Sequence, residues 1–494
     1  MKKNYILIPL LFFVQVAFAQ FEEDVLRFSR INNNGGARSA AMGGAFGALG
    51  GDLSAASGNP AGIGVYRKSD LNFTPLINMN TNTADKLASK RPSVQLANLG
   101  FVFAFTMPET EDNKWRAFNF AFNYAHLNSF NRTLKQKIDN SESSLLDYYV
   151  DRANRGEQGS DLDQAYYVGP DTYALLRYNG TNYYSILKEY DGVQEYVNQE
   201  KKIMENGYQG EYAISFGANY LDQLYLGATI GTQVISYKFN SYYTEIASAE
   251  YDLDYFKRSE YQEITGSGVN LKVGAIYKPI PELRLGLAFH TPTWYTIDYT
   301  YDPAMYSTLR VPSEYDFYSY EDEPGAWSQK VGMMTPWRAI VSASTVLAQK
   351  FIVSMDYEYV DYSSMNYNNA NDPEFDDIGI NQNISEWYQA THNIRIGGEF
   401  RLNSTFSLRA GYNWQQSPYK DNTAHEIYTV PSITGGNDLS AVSGGFGLNF
   451  KHWYLDASYS HLVGKDKTVF YPGATDISNT YANNQTRVTL GFKF

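Results

Sequence analysis

The stretch Arg487-Val-Thr-Leu-Gly-Phe-Lys-Phe494 decides the reading of this chain. Its residues alternate with the two-residue period of a β-strand. Val488, Leu490, Phe492 and Phe494 share one face; Arg487, Thr489, Gly491 and Lys493 share the other. The stretch stops on an aromatic residue, with no tail beyond it. A half-polar strand in that place must close a sheet or stand as a sticky edge. Closure is the expectation.

The same alternation recurs upstream. Phe118, Phe120, Phe122 and Tyr124 oppose Asn119, Ala121, Asn123 and Ala125. Leu283, Leu285, Leu287 and Phe289 oppose Arg284, Gly286 and His290. Phe406, Leu408, Ala410 and Tyr412 oppose Ser407, Arg409, Gly411 and Asn413. The pattern gives fourteen candidate strands, near 70–79, 97–106, 116–128, 208–220, 223–239, 264–278, 283–300, 336–347, 350–361, 392–402, 405–416, 441–450, 453–463 and 485–494. An even count lets both ends of the sheet meet on one side. Short connections such as Leu221-Asp222, Ala348-Gln349 and Asn403-Ser404 alternate with long ones at 80–96, 129–207, 240–263, 301–335, 362–391, 417–440 and 464–484. Short periplasmic turns and long outer loops are the rule for outer-membrane barrels. The expected fold is therefore all-β, a 14-stranded antiparallel transmembrane β-barrel, apolar outside, with Phe494 on the periplasmic side. The longest connection, 129–207, carries apolar residues at helical spacing around Leu145–Val150 and Ile186–Val197, so it is expected to be partly helical; a disordered loop is the alternative.

Residues 1–19 read as a secretory signal. Lys2 and Lys3 precede an apolar run from Tyr5 to Val14, and Ala17-Phe18-Ala19 is a small-x-small cleavage site before Gln20. The run is too short to span a bilayer, which needs about 20 apolar residues. Loss of the two charges of Lys2 and Lys3 takes the net charge from −13 to −15. So acidic a chain is no nucleic-acid binder by bulk charge. A mean hydropathy of −0.42 excludes a helical membrane protein but not a barrel, where every second strand residue is polar. There are no cysteines, so a closed hydrogen-bonded sheet must supply the stability. The 43 tyrosines suit interfacial girdles and outer loops, where a ring is half wet.

Between the signal and the first strand, 20–69 is rich in glycine and small residues. It includes Gly43, Gly44 and Asp52, then Asn59-Pro60-Ala61. Glycine permits close backbone approach in a confined space. A compact luminal plug fits that composition; a flexible periplasmic tail is the alternative. Gly44-x-x-Gly47-x-x-Gly50 is no dinucleotide fingerprint, since no strand precedes it and no βαβ pattern follows.

The Gly/Ala-rich approach with Asp52, then Asn59-Pro60-Ala61, then directly a first strand, resembles the FadL family of outer-membrane transporters for long-chain fatty acids and other hydrophobic molecules. The style of the sequence resembles family members from Bacteroidetes-type bacteria, some loosely labelled haemin receptors. The resemblance implies a fourteen-stranded barrel (70–494) and an N-terminal hatch (20–69) that contains the Asn-Pro-Ala stretch. It also implies a passive mechanism. A hydrophobic ligand would be caught among the outer loops and released past the hatch, with a sideways exit into the membrane lipid as one route. No cofactor is implied, a protein partner stays open, and a self-contained plugged barrel needs none and can be monomeric. Pro292 lies inside a long strand and cannot donate a ladder hydrogen bond, so it marks a kink or the point where the strand leaves the bilayer.

Other chemistries find little support. The six histidines, His126, His290, His392, His425, His452 and His461, show no ligand spacing for haem. The acidic stretch Asn368–Asp377 lacks the spacing and glycine of a calcium loop. No nucleophile elbow or phosphate loop is present, and no enzyme activity is expected. The inward charges Lys272, Arg284, Arg338, Asp356, Glu358, Arg395, Glu399, Arg401, Arg409 and Asp456 are of both signs and are expected to pair with one another and with the plug. Besides transport, a secretion-associated or structural barrel that binds a protein partner stays open, as does a porin. An apolar, aromatic-lined pocket above the hatch would favour transport, and a filled lumen with an exposed protein-binding loop surface would favour the second reading.

Overall fold

The computed structural model describes residues 21–32, 35–108, 110, 113–155, 175–178, 182–185, 187, 196–247, 253–310, 317–322, 325–369, 378–420 and 438–494. The expected signal, His425 and most of the acidic stretch 368–377 lie outside them. Among the described residues fourteen antiparallel strands close into a barrel. They are β1 (Asp70–Ala84), β2 (Leu87–Thr106), β3 (Trp115–Ser129, resuming at Arg132–Ser141), β4 (Val197–Tyr220), β5 (Leu224–Ala247), β6 (Leu253–Ile280) and β7 (Leu283–His290 and Trp294–Arg310). Then follow β8 (Trp327–Met334 and Arg338–Leu347), β9 (Phe351–Asp361), β10 (Ala390–Arg401), β11 (Phe406–Gln415), β12 (Leu439–Asn449), β13 (Trp453–Thr468) and β14 (Ile477–Lys493).

The C-terminal stretch closes the sheet. β14 pairs with β1 from Asp70↔Lys493 to Ala84↔Asn479. Ser69 and Phe494 exchange backbone hydrogen bonds, both 3.1 Å, so the pairing reaches the last residue, with one break at Thr74-Pro75 where the Thr74 and Thr489 hydroxyls meet at 2.8 Å. Val488, Leu490, Phe492 and Phe494 point outward and are exposed, while Arg487 and Thr489 are buried inside. The same inversion holds on β1, where Leu71, Phe73 and Ile77 are exposed and Asn72, Thr74 and Asn78 are buried. An apolar exterior of this extent needs lipid around it. No helix among the described residues is long and apolar enough to cross a membrane. On β4, Tyr208 and Tyr220 bracket the apolar face. Twelve steps at roughly 3.3 Å, tilted about 45°, give roughly 28 Å, close to the height of a barrel's apolar band.

The strands run well past that band, which corrects the expected boundaries. β4 and β5 are each 24 residues long and β6 is 28. The segments 80–96, 240–263 and 464–484, read as outer loops, are mainly strand. The first is a hairpin about Asp85-Lys86, with Asp85 at φ 48°. The physical reason is a change of parity. On β5, Leu226 and Ile230 face lipid, but above the band Ile235, Tyr237, Phe239 and Tyr243 face inward while Lys238 faces out. Water replaces lipid outside, so the apolar set moves to the inner face.

Those inward aromatics enclose a core in the outer half of the barrel. Helix α1 (Phe21–Ser29) sits within it, with Val25, Leu26 and Phe28 fully buried. Phe28 meets Phe130 and Tyr237 edge-on at 5.6 and 6.0 Å. A short helix α2 (Ala37–Ala41) follows lower in the lumen. Helix α3 (Leu145–Asn154) lies in the long connection, as its spacing predicts, and a capping box of Ser144 and Asp147 starts it. The second helical stretch expected near 186–197 falls largely outside the described residues. Helix α4 (Ile378–Trp387) packs against α1, and its Asn383 donates to Glu22 at 2.7 Å.

Candidate functional site

Residues 35–66 cross the lower lumen with their backbone pressed against the wall. Gly43 has φ 65°, and a Cβ there would lie 2.8 Å from the Tyr412 carbonyl oxygen of β11. Its amide donates to Ser443 Oγ at 3.1 Å. Gly44, at φ 80°, continues the turn. Asp52 caps a 3₁₀ turn by accepting from the Ser54 amide at 2.9 Å. Asn59 is buried and makes three contacts. Its Nδ2 donates to the Gly47 carbonyl (2.7 Å) and the Ala275 carbonyl of β6 (3.3 Å), and its Oδ1 accepts from the Ala61 amide (3.1 Å). Pro60 opens the turn Pro60–Val65, where its missing N–H costs nothing. Opposite, Gly227 of β5 has no room for a Cβ because the Pro60 carbonyl occupies that space. The structure thus brings Asn59, Pro60 and Ala61 together against β5 and β6. Gly43 and Gly44 lie apart from them, with Gly43 against β11.

The wall's charges fasten the segment. Arg38 of α2 binds Glu399 at 2.9 Å, and Arg409 joins Glu399 (2.8 Å) to Asp456 (2.6 Å). Burial works against the Arg38 charge, but Glu399 outweighs it and holds the guanidinium pKa above its ordinary value. Asp356 accepts from the Phe46 amide at 2.9 Å and from the Gly47 amide at 3.0 Å. Glu358 lies between Arg338 (3.3 Å) and Arg395 (2.9 Å), and Lys272 pairs with Glu211. Arg284 donates to the Leu49 carbonyl and Arg401 binds Glu399. Each of the ten inward charges named from sequence therefore meets a partner in the wall or the segment. The cavity left beside the segment is small, about 90 Å³, and its lining mixes charged groups such as Glu211, Lys272 and Glu358 with Ile31, Leu127 and Ile340. It has room for a few waters and none for an acyl chain. The apolar space above it is filled by α1.

A gap opens in the wall. β2 pairs with β1 from Leu87 to Val102 but with β3 only from Asn98 to Thr106. β3 carries a register shift between His126 and Asn128, breaks, and resumes at Arg132, paired only with β4. A bulge bends a strand and ends local pairing. The bent portion lies inside the wall. Asn80 and Asn82 of β1 donate to the Asn131 and Thr133 carbonyls at 2.6 and 3.0 Å. Gly207, at φ 134°, lets β4 follow, since a Cβ there would strike the Ser236 carbonyl. The resulting cavity of about 540 Å³ is bordered by Leu96, Leu99, Tyr124, His126, Tyr208 and Tyr212.

Pro292 marks a different break. β7 is interrupted between His290 and Trp294, level with the break between Met334 and Arg338 in β8. There the ladder is bridged. The Thr291 amide donates to the Leu271 carbonyl at 2.9 Å, and the Thr335 amide to the Thr293 carbonyl at 3.1 Å. The wall is continuous at Pro292 and open at β2–β3.

A closed barrel with a stitched luminal segment and a side gap can be set against known proteins. The family model described as outer membrane protein transport protein (OMPP1/FadL/TodX) matches residues 196–491. The chain belongs to this family. It is therefore an outer-membrane transport protein and not an enzyme. No curated protein matches the chain. Solved structures share the fold of this FadL-family barrel. A Pseudomonas aeruginosa FadL homologue is 14% identical with a TM-score of 0.54, covering 94% of this chain and 99% of that one. The P. putida toluene transporter TodX is 12% identical with a TM-score of 0.53, covering 94% and 99%. The Ralstonia pickettii toluene transporter TbuX is 14% identical with a TM-score of 0.52, covering 94% and 99%.

The sequence reading missed the gap. Its available signals were a glycine inside a strand, Gly207, and the loss of alternation at Ala125-His126-Leu127-Asn128. Among the described residues no His, Asp or Glu cluster could hold a metal ion. His392 meets the Tyr357 hydroxyl at 2.6 Å and His461 meets Asn484 at 2.7 Å, as interface residues would.

Proposed function

We propose that this FadL-family barrel passes hydrophobic molecules, long-chain fatty acids among them, from the outer loops into the lipid through the gap between β2 and β3. In this reading residues 1–19 are removed on export, 20–69 act as a hatch, and Gly43, Gly44, Asp52, Asn59, Pro60 and Ala61 hold the hatch in place. The observation that carries it is the gap, which has apolar side chains at its rim and lipid outside. A hydrophobic solute gains nothing from a watery pore, whereas each methylene entering hydrocarbon gains about 0.8 kcal/mol. The filled upper lumen is the feature that a protein-binding barrel would also show. Family membership and the gap weigh for transport, and α1 must then yield its apolar space to the ligand. The toluene transporters that share the fold make a monoaromatic hydrocarbon the second cargo class to test.

The test is native mass spectrometry with lipidomics on detergent-purified protein, beside an Asn59→Ala/Pro60→Ala variant. The expected result is a defined hydrophobic molecule on the intact protein, with its occupancy changed in the variant. An empty barrel that instead retains a stable protein partner would replace transport with the scaffold reading.

A further inference from the structure

Arg487 projects from the middle of β14 into the lumen and is 3% exposed. Its Nη2 donates to Gln485 Oε1 at 2.6 Å, but its Nε and Nη1 have no partner. This sets it apart from Arg38, Arg338, Arg395 and Arg409, which all meet carboxylates. Three buried asparagines, Asn78, Asn98 and Asn123, have both amide atoms unpartnered. The strand register places the four on adjacent strands. Leu76 of β1 faces Arg487 on one side and Gln95 of β2 on the other. Asn78 is the next inward residue of β1. Asn98 pairs with Thr74, the inward residue of β1 before Leu76, whereas Asn123 pairs with Gly100, level with Asn72 and so about 13 Å further along the strands from Arg487. With strands about 4.8 Å apart, Arg487 lies roughly 10 Å from Gln95, which itself lines the wall gap.

Buried polar groups are normally paired, and a buried unpaired guanidinium is costly. A guanidinium fork with amide donors around it fits a planar oxyanion. We propose that Arg487, with Asn78 and Asn98, forms a head-group subsite for a singly charged amphiphile whose chain lies in the gap against Leu96, Leu99 and Tyr212. This deepens the transport reading and rests on the gap as the ligand's exit. A neutral hydrocarbon gains nothing at such a site and must displace its water, so the subsite favours amphiphilic anions over neutral cargo.

Equilibrium binding to the full-length mature barrel in non-ionic detergent tests this. The probes are a long-chain carboxylate, the alcohol of equal chain length and the corresponding alkyl phosphate. The carboxylate is expected to bind about tenfold more tightly than the alcohol. Arg487→Gln removes that preference and leaves the alcohol unchanged, while Arg487→Lys keeps part of it. Asn98→Asp supplies a carboxylate inside the site, so it is expected to raise the melting temperature and abolish the preference, and it covers the case in which Arg487→Gln does not fold. Equal affinities in the unaltered protein, or a preference that survives Arg487→Gln or Asn98→Asp, overturn the subsite. An alkyl phosphate that binds more tightly than the carboxylate overturns it as a cargo site and identifies a membrane-lipid head group instead. Binding in detergent does not depend on the exit route. Arg487-dependent binding in a protein whose uptake ignores the state of the gap would therefore sink the exit reading alone.

Discussion

A barrel carrying Gly227→Val and Gly411→Val is expected to leak. At both positions the backbone of the luminal segment lies where a side chain would begin. Gly227 faces the Pro60 carbonyl, and Gly411 faces the Met42–Gly43 peptide. Neither neighbour is the flexible end of a side chain, so the segment must move. Valine suits a strand, and the ladders β4–β5 and β11–β12 do not depend on the glycines' missing side chains. The wall should fold while the Asn59 and Gly43 contacts are lost. Losing several buried hydrogen bonds at about 1 kcal/mol each is enough to unseat a segment held mainly by them. In planar bilayers the double variant should show conductance steps that the unaltered protein lacks, and protease should cut within 35–66. Gly398→Val serves as control, since its nearest neighbour is 3.8 Å away and belongs to the wall. A double variant as tight and protease-resistant as the unaltered barrel would refute the role given to these glycines.

The second large effect is expected at the gap. Asn80 and Asn82 tether the bent part of β3 to the inner face of β1. The facing edge of β2 above Asn98 has no strand partner on that side. Such an edge seeks a partner. Asn80→Ala/Asn82→Ala removes two tethers worth about 1 kcal/mol each, roughly a thirtyfold shift between open and closed seams. Uptake of a hydrophobic probe should fall by about that order. Amide exchange along 87–97 should slow as β3 swings outward to pair there. Unchanged exchange together with unchanged uptake would show that the tethers do not hold the gap open.

The gap and the segment differ in how far the sequence disclosed them. Asn59-Pro60-Ala61 was visible because a capping asparagine and a proline at the first helical position leave a local signature. Its purpose was not, since Gly227 and Gly274 lie far along the chain and only folding brings them to it. Pro292 drew attention as a residue that must break a ladder, yet the threonines on either side bridge the wall there. The opening lies instead at a one-residue register shift near Leu127, where every residue is chemically ordinary.

By itself the sequence determined the class of the molecule. Alternation, an even set of strands and the phase of Arg487–Phe494 together require a closed sheet with its apolar face outward, because side-chain direction in a strand follows directly from position. The tertiary structure decided how high the strands rise, what fills the lumen and where the wall opens. Strand height depends on where lipid gives way to water, which inverts the apolar face without ending the strand. The packing of α1 among Phe130, Tyr237 and their neighbours, and the bend of β3 onto Asn80 and Asn82, depend on contacts between distant segments. Whether such a contact forms is settled by shape and by competition among many possible partners, neither of which a local pattern records.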